Sequence, residues 1–452
     1  KFLRLGTMGM RGVISNGLGL RLTTNYLSAI ATWFGEGTVL LACDTRQSSA
    51  MLKSNALATF MAAGLDVIDL GVLPAPVVHY LVEKEGAVGA CLIGAGHHPE
   101  GWNAIVPLNR YGALPNRTQN QELIDIYHSR KFSLATWDKV GTVRKVSEKV
   151  IQDYVEEICK NIDVEAIRER KFKVVADPCN GSASQTAKVL YDYLGLEATF
   201  INDSKRGYLP HTAEPRPRAA YQVQALIAPL GAAIGFVFNS DASRVSVVCS
   251  SGETLSEEYT LPIVAQAMLE KAGPGAKVVT NVCTTRSLDE IVKRFDGKLI
   301  KTEVGQAAVV ERMLDIDALL CGEGSGTIAF NEGIHGCDAL KATVIILEYM
   351  ATHQMTSREI AHDLPRLQLD KSKIACPSSQ AYSALALIRE AFEDADKIDE
   401  TDGLRFDWPE GWFHVRFSQT EPMLRIISEW PTREEAEEKI RLIENIVSGA
   451  RS

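Results

Sequence analysis

Four short runs hold most of the residues whose types and spacing suit chemistry. Residues 94–99 place Gly94, Ala95, Gly96, His97, His98 and Pro99 after an apolar run at 89–93, so two imidazoles meet flexible backbone at a strand end. Histidine titrates near neutrality, which makes His97 and His98 candidate bases; a hydrogen-bonded loop histidine gives the same pattern. Residues 239–244 set Asn239, Asp241 and Ser243 at alternate positions, as oxygen ligands of a hard cation would stand, with Arg244 after them. One formal charge should hold Mg²⁺ poorly, because that ion sheds water reluctantly and asks for carboxylates or phosphates in return. In 322–326, Glu323 and Ser325 lie between glycines, where a carboxylate can accept from two vicinal sugar hydroxyls; a solvated turn is the plainer alternative. Finally, Arg416 and Arg425 bracket Ser418, Gln419 and Thr420, so fixed charges and short donors can converge on phosphate oxygens. The alternative there is a helix start capped by Thr420 with Pro422 in its first turn, a geometry that also favours anions. Near the beginning, Arg11 sits in a glycine-punctuated loop over 5–12, where amides and one guanidinium can approach an anion.

These residues need elements to hold them. The chain has 452 residues, enough for about two to four domains, with 46% hydrophobic and 23% charged residues. A net charge of −9 with no Lys/Arg block argues against a nucleic-acid face. Nine scattered cysteines without a C-x-x-C pair fit reduced thiols in a cytoplasmic protein. No apolar run reaches membrane-spanning length. Predicted strands at 38–43, 66–72, 89–93, 173–177, 198–201, 232–238, 277–281 and 318–321 alternate with helices at 23–34, 48–63, from 182, and at 339–351. One long helix is expected over 148–169, and 107–145 reads as a polar excursion. That alternation is the rhythm of a doubly wound sheet, whose ligands gather at the carboxyl ends of strands. From about 365 the pattern changes to helix, hairpin, strand and a charged helix at 432–447, an α+β arrangement. The expected units are 1–147, 148–248, 249–364 and 365–452: three similar αβ domains with mixed sheets and a smaller α+β domain. Their likeness hints at an old internal repeat, although no sequence periodicity carries it.

Together the runs resemble, in order and spacing, those of the α-D-phosphohexomutase family (phosphoglucomutase, phosphomannomutase, phosphoglucosamine mutase), and the resemblance covers essentially the whole chain. Residues 6–12 are similar to the family's opening G-T-x-G-x-R-G. Residues 94–99 resemble its serine loop T-A-S-H-N-P, and 239–244 its metal loop D-G-D-x-D-R. Residues 322–326 resemble its sugar loop G-E-x-S-G, and 416–425 its phosphate loop R-x-S-x-T-E-P-x-x-R. Asp177 with Asn180 and Gly181, and 74–76, also fit. The resemblance implies four domains around a central cleft. It also implies movement of a phosphate between the 1- and 6-positions of a hexose phosphate through a bisphosphate.

The departures fall on the catalytic positions. Gly96 stands where the family has its phosphoserine, and glycine carries no nucleophile. Two of the three metal-loop aspartates are Asn239 and Ser243, leaving Asp241. Val106 stands where a lysine serves as general acid/base. Covalent, metal and acid–base terms each supply large rate factors, so three coordinated losses do not suit a working mutase. Arg11, Arg244, Glu323, Ser325, Arg416, Ser418, Thr420 and Arg425 are kept. The expectation is a pseudoenzyme that binds a hexose phosphate as a sensor, regulatory protein or partner of an active enzyme. It would be cytoplasmic, with no nucleic-acid or membrane partner and with a homo-oligomer or an active enzyme as partner. No cofactor is expected, and Mg²⁺ only if the degenerate loop still binds it. The alternative is an active phosphosugar mutase with a replacement nucleophile such as His98, or another phosphosugar-converting enzyme with His97 or His98 as base.

Overall fold

Apolar runs without polar alternation fold as strands buried on both faces. The computed structural model describes residues 3–205, 207–418 and 422–449. Its first sheet holds β1 (Leu3–Gly6), β2 (Gly9–Val13), β3 (Thr38–Cys43), β4 (Asp66–Val72), β5 (Gly89–Ile93), β6 (Trp102–Leu108) and β7 (Val143–Lys145), in the order β1-β2-β6-β5-β3-β4-β7. β3 pairs parallel with β4 and β5, while β5 turns back into antiparallel β6. The second sheet holds β8 (Lys173–Asp177), β9 (Glu197–Phe200), β10 (Ile234–Phe238) and β11 (Val245–Cys249), in the order β11-β10-β8-β9. The third holds β12 (Lys277–Asn281), β13 (Lys298–Thr302), β14 (Leu320–Glu323) and β15 (Thr327–Phe330), in the order β13-β12-β14-β15. Both share one plan: three parallel strands, the last of which reverses into an antiparallel edge. The reversals β5–β6, β10–β11 and β14–β15 therefore occupy the same place in three successive units. This is structural support for the repeat that the sequence did not show.

The fourth sheet is antiparallel throughout: β16 (Gln368–Ala375), β17 (Lys397–Asp399), β18 (Leu404–Asp407), β19 (Trp412–Phe417) and β20 (Met423–Trp430), in the order β16-β20-β19-β18-β17. Along β20 buried and half-buried residues alternate from Met423 to Ile427, as in a sheet with one packed face. Its core is its own, built on Phe406, Phe413, Leu424 and Ile443. The first three units instead share a continuous core, in which Leu81 and Tyr154 pack with Phe236, Leu261 and Ile345.

Several expectations change. The single helix over 148–169 is two, Val150–Ile158 and Val164–Arg170. Asp163 starts the second by accepting from the Ala166 amide at 3.0 Å, a cap inside the run that ends one helix and begins another. The excursion at 107–145 contains the helix Arg117–Ser129 and the edge strand β7. Arg11 lies within β2, not in a loop. The helix start considered at Thr420 lies outside the described residues, and the segment that would continue it, Met423–Trp430, is strand β20. No helix among the described residues is long and apolar enough to cross a membrane.

Candidate functional site

Three of the chemistry-bearing runs are turns between two hydrogen-bonded strands, each following the carboxyl end of a parallel strand, and the fourth spans the paired ends of β19 and β20. That placement brings them to one cleft. Its inner part is lined by Arg11, the 94–98 turn, Val106, Asp241 and Ser243. Its outer part is a cavity of about 300 Å³ lined by Arg244, Glu323, Ser325, Arg416 and Arg425, and His97 borders both parts. Asn239 is buried beneath the lining, and Ser418 is buried where its amide donates to the Met423 carbonyl at 2.8 Å to close the hairpin. Gln419 and Thr420 lie outside the described residues.

The 94–99 turn is held by groups that the sequence reading passed over. Arg46 pairs with buried Asp44 at 3.1 Å and donates to the carbonyls of Gly96 (3.2 Å), His98 (2.7 Å) and Pro99 (2.9 Å). Asp44 in turn accepts from the Ala95 amide at 3.3 Å. The available signal was the Asp44–Thr45–Arg46 run closing β3, a charged pair at the carboxyl end of a buried strand. The carbonyls of this turn are thus committed to a guanidinium and not to a ligand. The glycines serve close approach instead. A Cβ on Gly94 would lie 2.8 Å from the Asp44 Oδ2, and one on Gly96 would lie 2.7 Å from the Asp241 Oδ2. Gly96 also has φ +51°, which β-carbon-bearing residues rarely adopt.

Asp241 cannot easily yield that space. Its other oxygen, Oδ1, accepts from Asn239 Nδ2 (2.8 Å), the Ser243 amide (3.0 Å) and Ser243 Oγ (2.6 Å). The backbone of the loop is equally fixed. The carbonyls of Asp241 and Ala242 accept from Ala75 and Ala339, the first residues of the helices Ala75–Lys84 and Ala339–Thr352. The metal that the resemblance implies fits this loop poorly. The one carboxylate has an oxygen already saturated by three donors, and Asn239 presents an NH₂ where a cation needs a lone pair. Among the described residues no group of three or more His, Cys, Asp or Glu could hold a metal ion.

The imidazoles are neutral. Burial, with the Arg11 charge next, lowers His98 to about 4; burial and the Arg244 charge push His97 well down. His98 Nδ1 lies 3.0 Å from the Ala95 carbonyl, and its ring packs 5.0 Å from Trp102. A base that has become so weakly basic is poorly matched to proton transfer at neutral pH.

The outer part has the opposite character. Glu323 Oε1 accepts from Asn281 Nδ2 at 2.7 Å and the Gly305 amide at 2.9 Å, which fixes the carboxylate and leaves Oε2 for a ligand. Arg416 and Arg425 are directly opposite across β19 and β20. Arg416 has a partial counter-charge in Asp402 at 3.5 Å, and Arg244 pairs with Glu214 at 3.1 Å. Burial lowers Arg11 to about 10, with further repulsion from Arg4, Arg425 and Arg244, so four guanidiniums crowd one region of a chain with net charge −9. Also unread in the sequence was Lys371, which reaches from β16 to Glu258 (2.6 Å) and Glu257 (3.1 Å) beside the sugar turn. Such an arrangement can hold an anionic, hydroxyl-bearing ligand, but it offers no nucleophile at Gly96 and no ammonium at Val106.

The chain matches the four models of phosphoglucomutase/phosphomannomutase in order. These are alpha/beta/alpha domain I over 3–134, domain II over 152–252, domain III over 256–367 and the C-terminal domain over 372–443. A phosphoglucomutase/phosphomannomutase of Thermococcus kodakarensis is 31% identical, covering 98% of this chain and 99% of that protein. A protein of Pyrococcus abyssi named as a probable phosphoglucosamine mutase is 32% identical, covering 98% of each. Among solved structures, a phosphoglucomutase/phosphomannomutase family protein of Burkholderia thailandensis superposes with a TM-score of 0.87 at 25% identity, covering 99% of this chain and 98% of that one.

Proposed function

The chain belongs to the phosphoglucomutase/phosphomannomutase family of α-D-phosphohexomutases, and we propose that its cleft binds a hexose phosphate without passing the phosphoryl group through an enzyme serine. One observation carries this: the Asp241 carboxylate fills the space into which a serine side chain at position 96 would project. In this reading Arg416, Ser418, Gln419, Thr420 and Arg425 take the phosphate, Glu323 and Ser325 take sugar hydroxyls, and Arg11 and Arg244 line the far side. The 239–244 loop acts as a structural brace, with Asn239 and Ser243 satisfying the carboxylate that a cation would otherwise use. Nine buried cysteines, scattered along the chain without a C-x-x-C pair, support a cytoplasmic setting. The binder would act as a sensor or regulator, alone, as a homo-oligomer or with an active enzyme.

The names of the relatives favour a second reading, an active mutase. Turnover here would need another nucleophile, and His98 is the candidate, unprotonated at neutral pH. Two measurements separate the readings. Calorimetry with the 1- and 6-phosphates of glucose, mannose and glucosamine should show binding. A coupled mutase assay with glucose 1,6-bisphosphate as activator should show no interconversion. Turnover, with a labile phosphate on His98 by mass spectrometry, establishes the second reading; no binding at millimolar ligand removes the first.

A further inference from the structure

We infer that Lys373 is a third phosphate-holding cation of the cleft, outside the arginine pair of the hairpin; this rests on the hexose-phosphate reading above. In the fourth sheet Lys373 of β16 is directly opposite Arg425 of β20, and Arg425 is directly opposite Arg416 of β19. Directly opposed residues share a face of the sheet, and all three side chains line the same cavity. The row is therefore three cations across three adjacent strands. Like charges directly opposite destabilise a sheet, so the row asks for anions.

What the neighbours supply separates Lys373 from the rest. Lys371, two residues earlier on the same face, is neutralised by Glu258 at 2.6 Å and Glu257 at 3.1 Å and also donates to the Gly324 carbonyl at 3.2 Å. Arg416 has Asp402. Lys373 makes no ion pair and no side-chain hydrogen bond with any described residue. β16 is an edge strand, and edge lysines deter unwanted pairing. That role, however, does not require register with two arginines or a place on a cavity wall. A phosphate monoester at neutral pH carries close to two charges and three acceptor oxygens, which three converging cations match. A flexible ammonium beside two planar guanidiniums supplies charge where the fork geometry is already taken.

The test is calorimetry on the full chain with glucose 6-phosphate, inorganic phosphate and glucose as probes. It compares the wild type with Lys373→Met, Lys373→Gln and Lys373→Arg, with thermal melts to confirm folding. Loss of one cation should weaken glucose 6-phosphate and inorganic phosphate by about tenfold in both neutral variants, leave any glucose signal unchanged, and be recovered within about threefold by arginine. Wild-type binding that Lys373→Met and Lys373→Gln both retain overturns the assignment while the hexose-phosphate reading stands. No binding by the wild type overturns that reading itself. Two neutral variants guard against one that fails to fold.

Discussion

Position 96 is closed to a side chain from two directions. The left-handed backbone and the Asp241 carboxylate both exclude a side chain there. Gly96→Ser should therefore leave mutase activity undetectable in the coupled assay. It should also lower the urea-unfolding free energy by about 1–3 kcal/mol, because the new Cβ forces Asp241 off its three donors. Recovered turnover would mean that the serine alone had been missing. A second residue-scale consequence concerns acid. His414 is buried, with Nε2 at 2.5 Å from the Asp402 carbonyl and Nδ1 at 3.1 Å from the Cys283 thiol. Burial lowers this histidine to about 4 and raises the thiol to about 12, so the pair is neutral. Above pH 6.5 neither folded nor unfolded histidine is charged. As pH falls from 6.5 toward 4, the unfolded chain takes up a proton that the folded one refuses, and stability is lost. At pH 5 the loss from this residue is about 2 kcal/mol. Denaturant titrations at pH 7.5 and pH 5 should show a smaller pH-dependent loss in His414→Gln than in the wild type; equal losses would place the titrating groups elsewhere.

At the scale of elements, a few buried polar contacts add direction to the apolar core that the first three units share. Tyr154, on the helix Val150–Ile158, donates to both oxygens of Asp338 at 2.9 Å. Asp338 also caps the helix Ala339–Thr352 through the Lys341 amide at 2.8 Å. Tyr154→Phe removes the phenolic donor and leaves a buried carboxylate undersatisfied, which should cost about 1–3 kcal/mol in urea denaturation, whereas a change below about 0.5 kcal/mol would show that water replaces the hydroxyl. Nothing in the sequence announces this contact, because its partners are 184 residues apart. The same holds for Lys371, whose partners Glu257 and Glu258 come from a distant element, and for the carbonyls that Arg46 reaches beyond its neighbour Asp44. What the sequence does carry is local. Unbroken apolar strands such as β5 and β10 are legible as apolar runs of strand length, and both are buried throughout. The site turns were readable because glycine, arginine and carboxylate types cluster where strands reverse. Arg11 reads as a loop residue because the short strands β1 and β2 are dense in glycine, a poor strand former whose pairing comes from the tertiary ladder with β6.

Considered whole, the molecule is two bodies of unequal character joined by a polar seam. The first three units share one core and the fourth has its own. Across the seam Arg286 donates to the carbonyls of Pro409 (2.9 Å), Trp408 (2.9 Å) and Gly411 (3.2 Å) and to Asp407 (3.1 Å), while its amide donates to buried Glu429 at 2.8 Å. Arg405 returns a bond to the Val282 carbonyl at 2.7 Å, and the Val304 amide reaches Asp402 at 3.0 Å. Polar seams between separate cores can open without exposing much apolar surface, so relative motion is the default for such units. The cleft straddles the seam, with Glu323 on one side and Arg416 and Arg425 on the other, so ligand affinity depends on how the fourth unit is held. Arg286→Ala should separate the thermal unfolding of the fourth unit as an earlier transition in calorimetry. Hexose-phosphate affinity should fall by about tenfold, because binding must then also order the seam. The rest of the melt should move little, since the hydrogen bonds of the Arg286 side chain all go to the fourth unit. A single unshifted transition with unchanged affinity would show that Arg405, Val304 and Lys371 hold the fourth unit without it.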